Sequence, residues 1–213
     1  MIIKTLSLGS MDNNCYIIAD EDSRDAVVID APTNAQKIID TLESNNLNCK
    51  YILLTHSHFD HIGALDALKA HTNAQVAIHS SETDKINSPS ANYAFLAGAS
   101  CPTAKADISL SDNDVITIGN IDISTIHTPG HTVGSMCFYA NGHLFSGDTL
   151  FFTNVGRCDL DGGNYDTIKV SIKEKLYILS DDTIVYPGHG RSSSIAYEKT
   201  HNNYIRQDWE YVY

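Results

Sequence analysis

The sequence predicts an α/β protein whose sheets are covered by helices. Two observations carry that expectation. Short apolar strands parted by turn formers give hairpin-like stretches, and strands alternate with helical patterns in both halves. The 213 residues, 42% hydrophobic, contain no proline-rich linker, low-complexity tract or solenoid repeat. One domain spanning residues 1–213 is expected, with a core that needs no disulfide or structural metal to hold it.

Ile2–Leu8, Asn14–Ala19 and Ala26–Ile29 read as strands, separated by Gly9-Ser10 and by Glu21-Asp22-Ser23. Thr33–Ser44 reads as a helix with Thr33 as its N-cap and Ile38, Ile39 and Leu42 on one face. Tyr51–Thr55 is a strand, and His61–His71 a helix with Ile62, Leu65 and Leu68 at helical spacing. Val76–His79, Val115–Ile118, Ile121–Ile126, Met136–Ala140 and His143–Ser146 are further strands, each a short apolar run. Asn164–Leu179 is expected to be helical through Ile168, Ile172, Leu176 and Leu179. Thr183–Tyr186 closes the set of strands and Ser194–Tyr204 the set of helices. The segment Asn87–Lys105, rich in Ser, Ala, Asn and Pro, is expected as a loop or short helices over a site.

The charge balance narrows the partners. Fourteen Lys and Arg face 26 Asp and Glu, a net charge of -12, so neither a phosphate backbone nor an anionic membrane surface is an expected ligand. No apolar run approaches the roughly 18–20 residues that cross a bilayer. Met1–Thr5 lacks the charged start and apolar core of a secretory signal. The five cysteines are scattered, odd in number and free of any Cys-x-x-Cys. A reducing, cytoplasmic location is expected.

Chemistry gathers where strands end. Tyr51–Leu54 runs into Thr55-His56-Ser57-His58-Phe59-Asp60-His61, and Ile121–Ile126 into His127-Thr128-Pro129-Gly130-His131. Leu144-Phe145 leads to Ser146-Gly147-Asp148, and Ile184–Tyr186 to Pro187-Gly188-His189. Neighbouring strand ends share one sheet edge, where open α/β sheets bind ligands. Imidazole nitrogens beside carboxylate oxygens suit Zn, Fe or Mn rather than Ca or Mg. The spacing of His56, His58 and Asp60 lets alternate side chains of an extended loop point the same way, with Asp60-His61 free to face a second ion. The bland alternative is a solvated loop whose Asp60 caps the following helix. Gly130, Gly147 and Gly188 permit sharp turns that aim the next side chain inward.

These segments, with Gly156-Arg157-Cys158-Asp159 and Tyr197-Glu198-Lys199-Thr200-His201-Asn202-Asn203, resemble the metallo-β-lactamase-fold hydrolases, and among them the small bacterial glyoxalase II-like (hydroxyacylglutathione hydrolase-like) branch. The resemblance covers nearly the whole chain and implies an α/β four-layer αββα sandwich with a metal site at one edge of the sheets. It implies that His56, His58 and His131 hold one divalent ion, that Asp60, His61 and His189 hold a second, and that Asp148 bridges them. The ions would be two Zn, with Fe or Mn as alternatives. Asp30 matches an early Asp of the family with a structural role, although Ala31-Pro32 follows where glycine is common. Arg157 is expected to order its loop by pairing with a carboxylate. His71, His79, His127, His143 and His201 are left without a role, and Cys158 is expected to be merely packed.

The activity implied is hydrolysis of a small acyl thioester by a hydroxide held between two ions, with Asp60 also able to take or relay a proton. A thiolate leaves readily, so little acid assistance is needed. Full-length glyoxalase II enzymes carry a C-terminal helical extension that helps bind glutathione, whereas this sequence continues past His189 only to Tyr213. Lys169, Lys199 and Arg206 are candidates for a substitute anion contact. Tyr204, Trp209, Tyr211 and Tyr213 form an aromatic tail expected to pack on the body. The alternatives are a lactonase or broad esterase, a persulfide dioxygenase with one iron, and, least favoured, a non-catalytic metal-binding domain. Nuclease, flavodoxin-linked and secreted β-lactamase readings rank lower still, because the elements they need are not seen.

Overall fold

In the computed structural model, which describes residues 1–205, a first sheet runs in sequence order through β1 (Ile2–Leu8), β2 (Asn13–Ala19), β3 (Asp25–Ile29), β4 (Asn48–Leu53), β5 (Gln75–His79) and β6 (Ile108–Leu110). Its first three strands pair antiparallel and the rest parallel. Four further strands are β7 (Val115–Ile118), β8 (Ile121–His127), β9 (Met136–Ala140) and β10 (His143–Gly147). A short hairpin, β11 (Leu150–Phe151) and β12 (Asn154–Val155), precedes β13 (Ile184–Pro187) and β14 (Ser193–Ser194). The second sheet has the order β14-β13-β10-β9-β8-β7, with β10 and β13 parallel.

The strand sequences explain the layering. Side chains alternate along a strand, so a strand buried on both faces is apolar at nearly every position. All seven residues of β2 are buried. Tyr16 and Ile18 join Ile29, Leu53, Phe138 and Phe145 in a core between the sheets. Cys15, Ile17 and Ala19 point the other way, into a core with Ile38 and Leu42 of α1 (Ala35–Ser44) and Leu65 and Leu68. On the far side, Leu144 and Val185 pack with Ile168, Ile172 and Ile195. The result is helix, sheet, sheet, helix: the expected αββα sandwich.

Several element boundaries differ from the expectation, each for a local reason. The helix expected at His61–His71 is two pieces, α2 (Phe59–Ile62) and α3 (Leu65–Thr72). A Cβ on Gly63 would lie 2.4 Å from the Pro32 carbonyl, and Ala64 N donates to Ala31 O at 2.8 Å, so this turn bonds outward. The N-cap of α1 is Asn34 rather than Thr33; its side chain accepts from Lys37 N. The strand before the histidine loop is Asn48–Leu53, not Tyr51–Thr55. The segment 87–105 holds a single helical turn, α4 (Ala94–Ala97). The helix expected at Asn164–Leu179 begins at Tyr165, with Asn164 as N-cap. After Ser171, α5 (Tyr165–Ser171) widens into a π turn over Ile172–Leu176. The last helix, α6, is Ile195–His201, capped by Ser194. Strands of two or three residues, such as Ile108–Leu110 and Leu150–Phe151, are too short to show a period in sequence. Trp209, Tyr211, Tyr213 and Arg206 lie outside the described residues.

Candidate metal centre

The parallel strands β4, β10 and β13 end together, and their following loops meet at one edge of the sandwich. The two sheets are joined there. Asn14 N donates to Gly188 O at 2.7 Å, Tyr16 Oη to Pro187 O at 2.6 Å, and Met136 N to Thr55 O at 2.9 Å. After β4, Asp30 takes both the backbone N–H and the hydroxyl of Thr55 at 2.8 Å, which turns the chain so that His56 and His58 follow in extended backbone. The short α2 then presents Asp60 and His61. His131, Asp148 and His189 arrive from the loops after β8, β10 and β13. Gly188 has to be glycine: a Cβ there would sit 2.2 Å from Asp148 Oδ1 and 2.9 Å from His61 Cε1.

All seven residues singled out in the sequence come together. Three groups have ligand atoms close enough to share an ion: His56, His58 and His131; His56, His61 and Asp148; and Asp60, His61 and His189. His131 Nε2 lies 3.3 Å from His56 Nε2 and 3.0 Å from His58 Nδ1. Asp148 Oδ1 is 3.4 Å from His61 Nε2, and its Oδ2 is 3.6 Å from both His131 Nε2 and His189 Nε2. Asp148 therefore faces both ends of the cluster. Asp60 Oδ2 stands 3.4 Å from His189 Nε2 and 3.7 Å from His61 Nε2. Asp60 does not cap a helix; His58 occupies that position, and Asp60 instead accepts a bond from Asn13 Nδ2 at 3.0 Å.

The donor chemistry fits cations. The outer ring nitrogens of four histidines are tied to oxygen: His61 Nδ1 to Asp30 at 2.8 Å, His131 Nδ1 to the Arg157 carbonyl at 2.7 Å, His189 Nδ1 to the Met11 carbonyl at 2.9 Å, and His56 Nδ1 to Thr55 Oγ1 at 3.0 Å. A carbonyl or carboxylate partner fixes the proton on Nδ1 and turns the Nε2 lone pair inward. The inward nitrogens of His56 and His58 both face His131 Nε2. His61 Nε2 and Asp148 Oδ1 are buried without a hydrogen-bond partner, a condition that costs about 1–3 kcal/mol per group unless an ion relieves it.

Electrostatics divide the rings. Burial would lower His61 and His189, but Asp148, Asp30 and Asp60 outweigh it and hold His61 well above the ordinary imidazole range, and Asp60 and Asp148 raise His189. Burial, with the neighbouring rings of His61, His58 and His131, holds His56 well below the ordinary imidazole range. Burial and His131 bring His58 down to about 4. Both rings are neutral ligands at physiological pH. Burial alone would lift Asp148, yet the His61 imidazole outweighs it and brings the carboxyl to about 2. Asp60 is held below the usual range by His61, His189 and Asn13, also against its burial.

The remaining polar residues sort themselves by contact. Arg157 pairs with Asp159 at 2.7 and 2.8 Å, out in solvent. Its backbone carbonyl, not its side chain, serves the centre. His127 turns away to stack on His79, ring centroids 4.1 Å apart. Cys158 is partly buried against the core of α5. Tyr93, at the start of α4, sets its ring 5.3 Å from that of His58, and Ala99 and Ser100 line a cavity of about 430 Å³ shared with Asp60, Asn13 and Met11. The segment 87–105 thus borders the centre. Glu82 was not anticipated. It is fully buried, binds the hydroxyl of Ser57 between two ligand histidines, and accepts from Gly134 N at 3.1 Å and Lys85 Nζ at 2.9 Å. One carboxylate so ties the His56–His58 loop to the His131 loop. Its place after β5 carries no spacing signal in sequence.

Comparison with known proteins agrees with this geometry. The family model described as the metallo-beta-lactamase superfamily matches residues 8–189. The hydroxyacylglutathione hydrolase GloC of Haemophilus influenzae is 32% identical over 214 residues, 96% of this chain and 98% of its own. The crystal structure of BLEG-1 B3 metallo-beta-lactamase superposes with a TM-score of 0.91 at 36% identity, covering 96% of this chain and 99% of that one. TTHA1623, solved in a di-iron-bound form, superposes with a TM-score of 0.84 at 29% identity, covering 95% and 100%.

Proposed function

The chain belongs to the metallo-β-lactamase superfamily of metallo-hydrolases, and on that premise we propose that it hydrolyses a small acyl thioester with two divalent ions, zinc by preference. The observation that carries the reading is the facing set of inward imidazole and carboxylate donors around Asp148, together with the likeness to a hydroxyacylglutathione hydrolase. His56, His58 and His131 would hold one ion and Asp60, His61 and His189 the other, with Asp148 placed to serve both. Iron remains the alternative metal, since TTHA1623 carries two irons on the same fold.

Bound divalent ions polarise a carbonyl oxygen and lower the pKa of water towards about 7. The chain supplies the rest. Asp30, Thr55 and the carbonyls of Met11 and Arg157 fix the ring planes, so the donors need no rearrangement on reaction. Asp60, steadied by Asn13, offers a carboxylate oxygen at the mouth of the 430 Å³ cavity where it can hold a proton taken from the attacking water. A thiolate departs with little acid help, and the cavity takes the acyl half.

The test is hydrolysis of S-lactoylglutathione by zinc-loaded protein beside a chelated control. Metal-dependent turnover supports the reading; a fully loaded sample that hydrolyses neither this nor any other small thioester, while cleaving another ester class, refutes it. The likeness to BLEG-1 favours one second reading, ring opening of a β-lactam, which a chromogenic cephalosporin in the same panel would reveal.

A further inference from the structure

We infer that Tyr93 is the positioning residue of His58. Its ring sets the imidazole plane for the ion at His56, His58 and His131, the part that an oxygen plays for the other histidines. The inference rests on those three residues holding an ion and is independent of which bond is hydrolysed.

His58 is the exception among the histidines of the centre. The outer nitrogens of His56, His61, His131 and His189 are tied to a hydroxyl, carboxylate or carbonyl oxygen. His58 turns Nδ1 toward His131, and its Nε2 has no hydrogen-bond partner among the described residues. An untied imidazole is free to rotate, and freezing that rotation on an ion lowers affinity. What meets this ring is aromatic. His56 and His131 approach it edge-on at 4.6 and 4.7 Å, but both are its partners at the ion. Tyr93 is the third ring, at 5.3 Å and 72°, within the edge-to-face range of aromatic pairs.

Tyr93 is itself held at both ends. Its backbone takes φ +63°, the left-handed region that a bulky side chain seldom enters. Asn92 enforces that turn from a fully buried position. Its Nδ2 donates to Ile86 O at 2.8 Å, and its Oδ1 accepts from Ala94 N at 3.0 Å. The Asn92 carbonyl accepts from Phe59 N at 2.8 Å, so the turn is tied to the residue next to His58. At the far end of the side chain, Tyr93 Oη accepts from Asp161 N at 2.8 Å. Strained backbone persists only where its surroundings over-determine it. Here it presents one ring to the one histidine that no oxygen orients.

Zinc titration of the full-length, metal-free protein tests this, with His189→Ala assigning the two binding steps and cobalt substitution giving a spectrum. Tyr93→Asn removes the ring and leaves a residue that adopts the left-handed conformation readily. It should weaken the ion at His56, His58 and His131 about 10-fold, the low end for loss of a group that orients a ligand. The ion at Asp60, His61 and His189 should stay within about twofold, and the visible bands of the cobalt-loaded protein should shift. Tyr93→Phe keeps the ring and should restore both affinity and bands. Tyr93→Gly, which takes the same backbone angle without strain, should repeat the Tyr93→Asn result and replaces it if that variant does not fold. A merely structural role would weaken both ions together and lower the melting temperature of the metal-free protein with them. The inference falls if the folded ring-less variant binds the first ion as wild type does, if both ions weaken alike, or if Tyr93→Phe loses as much as Tyr93→Asn. Ions bound with this dependence on Tyr93, but no thioester hydrolysed, would refute the reaction and keep the role of Tyr93.

Discussion

Replacing Glu82 by alanine removes the carboxylate that ties the His56–His58 loop to the His131 loop. Ser57 and Gly134 N both bond to it inside the protein, while Lys85 is partly exposed and can turn to water. The variant strands a buried hydroxyl and a buried N–H, each worth about 1–3 kcal/mol, so the loss is about 2–6 kcal/mol. At roughly 2–4 °C per kcal/mol for a chain of this size, the melting temperature should fall by on the order of 10 °C. Ser57 sits between His56 and His58, and Gly134 three residues after His131, so affinity should drop about 10- to 100-fold for the ion at those three histidines. The Asp60, His61 and His189 cluster should lose less. Zinc titration resolves the two events. A folded Glu82→Ala protein that binds both ions with wild-type affinity would refute the reasoning. Glu82→Gln keeps an acceptor for Gly134 and should bind metal nearly as wild type does. It also isolates a pH effect. Burial would raise the Glu82 carboxyl, but Ser57 and Lys85 outweigh it and hold it below its ordinary 4.5. The carboxylate thus adds stability above pH 4.5 that is lost as pH falls through the depressed native value, and the advantage of wild type over Glu82→Gln should shrink in that range.

Asp148→Asn should weaken both ions and abolish hydrolysis, because Oδ2 lies 3.6 Å from both His131 Nε2 and His189 Nε2, one from each donor set; metal content and turnover measured together check this, and survival of both would remove its bridging role. Gly188→Ala, whose Cβ would lie 2.2 Å from Asp148 Oδ1, should cost about 1–3 kcal/mol in stability and displace the carboxylate, read as a lower melting temperature with reduced zinc affinity. Stripping the metal with a chelator should lower the melting temperature reversibly, since a ligand at 100 times its Kd adds about 2.7 kcal/mol; an unchanged melting curve would mean that these residues hold no ion.

The fold was readable because the central strands of both sheets are buried on both faces. Val27–Ile29 and Leu144-Phe145 are apolar whichever way they point, and such runs declare themselves without knowledge of their neighbours. Where a boundary was misread, a contact distant in sequence decided it. The approach of Gly63 to the Pro32 carbonyl splits a helix that Ile62, Leu65 and Leu68 spaced as one.

The same divide runs through the site. The seven donors were legible because each follows an apolar strand within eight residues, and strand ends are carried to one edge by the sheet itself. The groups that make those donors work were not. The carbonyls of Met11 and Arg157 orient two rings, yet every residue has a carbonyl, so sequence cannot mark them. Asn13 and Glu82 act through tertiary neighbours: a carboxylate 47 positions away and a hydroxyl 25 positions away. Bond-breaking chemistry needs particular atoms and therefore particular residue types, which sequence displays. Orientation and choice of substrate need only a shape and a charge in the right place, which many residues can supply. The reaction class of this chain is accordingly read from its histidines, and its substrate has to be read from the surroundings of the centre.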